Sequence, residues 1–104
     1  MAKYVFSYHG GKISTDPAEI KKMMDAWGAW FGSMGSAVID GGNAVGQPST
    51  VKSDGSMVGG GGANPVSGYS LIEASSLEDA HMKAKGCPIL KTGGSIEIAQ
   101  AMDM

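Results

Sequence analysis

The 104 residues suffice for one domain, 1–104, in which folding buries roughly two thirds of the unfolded surface. Eight basic and ten acidic residues, interspersed and summing to -2, exclude the basic stripe of a nucleic-acid binder and the cationic face of a membrane-surface helix. The lone cysteine, Cys87, excludes an internal disulfide and a thiolate zinc framework.

The opening MAKYVFSYHGG carries one lysine and a short apolar stretch, which fits neither a signal peptide nor a membrane span, so a cytoplasmic setting is expected. Within it Lys3–His9 alternates Tyr4, Phe6 and Tyr8 with Val5, Ser7 and His9, the period of a strand. Thr15 or Asp16 then caps a helix begun by Pro17. Along it Ile20, Met23, Met24, Trp27, Phe31 and Met34 recur at threes and fours, one broad core-facing stripe that Gly35 ends. Trp30 belongs with these to the core and sits at the margin of the stripe, where it also lines a pocket or the dimer surface. Ser36–Asp40 reads as the second strand, and Ser49–Val58 as a short hairpin turning at Ser53-Asp54-Gly55.

After the glycine run Gly59–Gly62, a connection or a lid, Gly68–Ser75 has a strand pattern. Ser76-Leu77-Glu78-Asp79 has the spacing of a capping box, with Asp79 in the glutamate's place, and opens a second helix ending near Gly86. His81 lies on or beside its sheet-facing side. Ser95–Met102 alternates again and supplies the last strand. The order is β-α-β-(hairpin)-β-α-β, a split βαβ sandwich in which an antiparallel sheet carries two helices on one face. Because the strands bear apolar residues on both faces, the open face is expected to be covered in a homodimer.

Several pieces together resemble the YCII-related family, near its branch named for an Asp-Gly-Pro-Phe motif: the opening KYVFSY, the helix with Trp27 before Gly35, the turn Asp54-Gly55, the strand Gly68–Glu73, the helix Ser76–Lys85, the pair Cys87-Pro88 and the closing Ser95–Ile98. Here Ser56-Met57 stands where that branch has Pro-Phe, and no histidine lies between Pro17 and Gly35, so the family's proposed His–Asp site has no counterpart. The resemblance implies a ferredoxin-like fold, a dimeric α+β barrel and a cleft between sheet and helices.

In the spatial order 4-1-3-2 that such a fold implies, His9, Asp40, Tyr69, Cys87 and the loop 59–68 gather at one sheet edge. His9 and Asp40 stand two strand spacings apart there, about 9–10 Å, flanking a ligand rather than forming a dyad. Two functions are open. One is a small enzyme needing no cofactor, in which His9 and Asp40 move protons on a small organic molecule and Tyr8 or Tyr69 donates a hydrogen bond. The other is a noncatalytic binding or accessory dimer whose cleft is walled by Tyr8, Trp27 and Tyr69. No bound metal is expected, since His9 and His81 lack a third ligand at recognisable spacing. Cys87, just past a helix carboxyl end, reads as a packed thiol. Gly10-Gly11-Lys12-Ile13-Ser14-Thr15 hints at a phosphate loop but lacks a hydroxyl residue directly after the lysine.

Overall fold

Alternation along β1 (Ala2–His9) buries Tyr4, Phe6 and Tyr8 on one face and turns Lys3, Val5, Ser7 and His9 to the other. The computed structural model describes residues 1–12 and 14–103, so the Gly10–Thr15 loop reading, which needs Ile13, lies outside the described residues. Helix α1 (Pro17–Met34) starts where the Asp16 carboxylate accepts the Ala18 N–H, and ends at Gly35, whose φ of 56° only glycine adopts without strain. A 3-10 turn over Gly35–Ala37 then delays the second strand, β2, to Val38–Asp40.

The hairpin is β3 (Ser49–Val51) and β4 (Met57–Gly59), closed by Asp54-Gly55. Asp54 accepts both the backbone N–H and the hydroxyl of Ser56, which holds its carboxyl below the usual range. β5 (Val66–Ala74) buries Gly68, Ser70, Ile72 and Ala74 at period two. Helix α2 (Leu77–Ala84) is capped by Ser76, which accepts the Asp79 N–H. Asp79 does not close the box back onto Ser76. Its carboxylate accepts from the Lys83 ammonium at 2.8 Å and from the Ser75 N–H, and these, the lysine first, keep it ionised to lower pH than usual. The last strand, β6 (Ser95–Gln100), stops short of Met102.

The sheet runs β2–β5–β1–β6 with every neighbour antiparallel, an α+β arrangement compatible with a ferredoxin-like fold. Both helices join one core cluster: Trp30 from α1 and Ala80 and Ala84 from α2 meet Tyr4, Phe6, Tyr8, Ile72 and Ala74 from the strands. Trp30, at the margin of the α1 stripe, is buried, its ring 6.4 Å from Phe6 and its indole N–H donating to the Lys83 carbonyl at 2.8 Å, and it also borders a hollow with Met34 and Gly86. One expectation is corrected. His81 is exposed, because the small Ala80 and Ala84, and not the stripe through Leu77, form the buried side of α2.

The molecule is flat, 42 × 42 × 19 Å, with a radius of gyration of 14.9 Å, where a compact domain of this length has about 13 Å. Its accessible surface of 7050 Å² exceeds by roughly 1,500 Å² what a folded monomer of this mass exposes. Among the described residues no helix is long and apolar enough to cross a membrane.

Candidate functional site

Four aromatic residues, Tyr8, Trp27, Phe31 and Tyr69, and one bent segment of backbone line a cavity of about 280 Å³ between α1 and the inner strands β1 and β5. Tyr8 comes from the buried parity of β1, and Trp27 and Phe31 come from one side of α1. The rings of Tyr8 and Trp27 meet edge to face with centroids 5.0 Å apart, and Phe31 lies 5.8 Å from Trp27, so each fixes its neighbour. The fourth side is Gly41–Ala44, which leaves the sheet after β2 and returns along β5. There the Tyr69 N–H donates to the Asn43 carbonyl and Ala44 bridges to Gly68. Gly42, at φ +70°, makes this close approach, since a Cβ on it would overlap the Tyr69 carbonyl.

The polar groups on the wall are few and oriented. The Tyr8 hydroxyl donates to Ser70 Oγ at 2.7 Å, and Ser70 passes the chain on to the Gly41 carbonyl at 2.6 Å, so a buried serine ties strand to loop. Burial raises the Tyr8 phenol far above its ordinary pKa, with the Ser70 bond opposing, which leaves a neutral donor at any physiological pH. The Tyr69 hydroxyl accepts from the Asn43 amide at 3.2 Å and keeps its own proton for another acceptor. Beyond Trp27 the hollow opens into a wider groove of about 580 Å³ under the first half of α1, with Ile20, Met23 and Met24 above and Ile89 below.

Of the residues expected to share a site, Tyr8, Trp27 and Tyr69 line this one cavity; His9 and Asp40 do not. His9 follows Tyr8 in the strand, so parity turns it to the open sheet face. Its Nδ1 lies 2.9 Å from the Asn64 carbonyl and its Nε2 3.6 Å from the Glu97 carboxylate. Asp40 is exposed and accepts the Gly42 N–H at 2.8 Å, the task of a turn aspartate. Of the loop 59–68, Ser67 and Gly68 line the cavity, and the stretch 59–66 does not. It carries Asn64 to His9 on the far side of the sheet. Cys87 is buried and its thiol is pushed up to about 11 by burial, so it is a packed thiol rather than a nucleophile. Among the described residues no three His, Cys, Asp or Glu side chains gather as a metal site.

Sequence reasoning missed Phe31, Asn43 and the Gly41–Ala44 segment as lining. Phe31 was legible as a stripe residue one turn after Trp27, and Gly41-Gly42-Asn43 as a turn. Neither signal says that the turn doubles back along β5. No protein-family model matches the chain, and no curated protein does.

Proposed function

We propose that this protein is a noncatalytic small-molecule-binding or accessory homodimer whose cleft takes a flat, largely apolar molecule bearing one hydrogen-bond acceptor. The observation that carries this is the interlocked wall of Tyr8, Trp27 and Phe31 around a cavity of about 280 Å³, with the unspent proton of Tyr69 at its rim. Stacked rings give affinity for a planar body, and the phenol orients it. The strand order and the single core face support the finer reading as a ferredoxin-like split βαβ unit of YCII-related type.

The dimer part of the proposal rests on surface. The sheet face away from the helices carries Val5, Ile39 and Leu71, none of them fully buried, beside Glu73 and Glu97. Covering it with a second copy, as in a dimeric α+β barrel, removes apolar area of the kind a lone domain rarely leaves wet. The lone thiol supports a cytoplasmic setting for this assembly.

The enzyme reading keeps one observation in its favour: His9 Nε2 is buried, has no hydrogen-bond partner among the described residues and stands 3.6 Å from the Glu97 carboxylate. It places any proton transfer on the opposite sheet face from the aromatic cavity. Binding in the cavity is tested by titrating 2-naphthol into protein labelled with 5-fluorotryptophan. A saturable shift of the Trp27 fluorine resonance, with Trp30 nearly unmoved, is expected, and an unsaturable or equal movement of both contradicts the proposal.

A further inference from the structure

The hairpin of β3 and β4 is the part of the molecule that the fold leaves without a neighbour. Among the described residues its strands pair only with each other, and every residue from Ser49 to Gly59 is exposed. A two-stranded ribbon alone in water is marginal at best, yet this one is built with care. Lys52 donates to the Ser56 carbonyl at 2.7 Å, Gly55 donates to the Lys52 carbonyl at 2.9 Å, and Asp54 braces the turn through Ser56. At the base Gly60 donates to the Pro48 carbonyl at 2.9 Å, and the Thr50 hydroxyl donates to the Gly60 carbonyl at 2.7 Å. Gly61 is pressed between Pro65 and Pro48, where a Cβ would stand 2.9 Å and 3.2 Å from their rings. Two proline rings and a glycine thus set the direction in which the ribbon leaves the sheet.

A rigid base with a wet ribbon is the construction of an arm. Its load is apolar: Val51 and Met57 are direct cross-strand partners on one ribbon face and are 69% and 70% exposed. Among the described residues neither side chain belongs to the core cluster or packs against it. The amount of surface indicates the occupant. The molecule exposes roughly 1,500 Å² more than a monomer of its mass, whereas a standard interface removes about 800 Å² per partner and permanent dimers remove more. The excess is the size that a second copy of the same chain removes.

We infer that the hairpin is a dimerisation arm: it extends the sheet-face interface past the edge of the sheet and lays Val51 and Met57 against a second copy of this chain. This rests on the homodimer proposed above and adds to it the segment that clasps the partner. Two-fold symmetry makes the contact reciprocal, so each chain contributes one arm and receives one.

Sedimentation of three proteins tests it: the wild type, the arm variant carrying Val51→Asp and Met57→Asp, and the sheet-face variant Leu71→Asp. Expected are a wild-type dimer, dissociation of the Leu71→Asp protein, and at least a roughly 30-fold weaker dimer for the arm variant, its circular dichroism unchanged because both sites lie outside the core. Methyl-labelled methionine supplies a second measurement on the wild type, in which a soluble paramagnetic agent should broaden Met1 and spare Met57. A dimer constant within threefold of wild type in the arm variant, or a Met57 methyl broadened like Met1, overturns the arm while Leu71→Asp still reports the sheet-face dimer. A wild type that is monomeric at about 100 μM overturns both.

Discussion

Replacing Phe6 by alanine is expected to cost about 3–5 kcal/mol, close to the whole stability of a domain this small. Phe6 is 0% exposed and sits at the middle of the central strand, opposite Ser70 on β5 and Ile98 on β6. Above it stands Trp30, whose ring is held by its own hydrogen bond to Lys83 and cannot drop into the space. The cavity left therefore stays open, the condition in which a large-to-small change costs most. Urea unfolding of Phe6→Ala should show either a midpoint lowered by that amount or no folded baseline. Phe6→Leu, which keeps most of the volume, should lose far less. A loss under about 1.5 kcal/mol for the alanine variant would place the core elsewhere.

The second large effect is expected at Gly42→Ala, a change of one methyl group. The φ of +70° disfavours any side chain there, and the added carbon overlaps the carbonyl of Tyr69, a backbone atom fixed in the sheet. The loop has to lift off β5, giving up the bond from the Tyr69 N–H to Asn43 and the seat of the Gly41 carbonyl on Ser70. Roughly 2–4 kcal/mol should be lost, together with 2-naphthol binding, because the lifted segment is one wall of the cavity. Gly28→Ala gives the comparison: apart from its own helix backbone, no atom of the described residues lies within 4 Å of a Cβ there and the residue is in mid-helix, so a small gain in stability is expected. Equal effects at the two glycines would mean that the loop does not lie against the strand as described.

Much of this architecture was legible because the strands obey a strict period. The alternation alone assigns Tyr4, Phe6 and Tyr8 to one face, and Asp54-Gly55 announces a turn. The helix stripe was legible as a direction but not as a depth. Ile20 and Met24 continue the stripe of Trp27 and Phe31, yet they stay exposed and line the groove instead of joining the core. Trp30 goes deeper than its place on the helix suggests, since α2 offers alanines and Gly86 leaves room for the indole. That information belongs to a different segment some fifty residues away, and no local window contains it.

The site was half legible for a reason that parity already held. Tyr8 and His9 are consecutive in a strand and so cannot face the same side. Grouping them by their shared strand end, rather than by face, joined two surfaces that the sheet separates. Tyr69 shows how a turn can reverse such an assignment. It lies on the outward parity of β5, opposite Ser7 on β1, yet where the Gly41–Ala44 segment folds over the strand its hydroxyl meets Asn43 and it lines the cavity.

Affinity for 2-naphthol, compared between His9→Gln and Trp27→Ala from pH 5 to 8, tests most directly whether the aromatic cavity is where this protein meets its ligand. The account predicts that His9→Gln stays within about twofold of wild type across that range, while Trp27→Ala loses at least tenfold at every pH. Affinity that titrates with His9 and vanishes in His9→Gln, with Trp27→Ala binding normally, would contradict it.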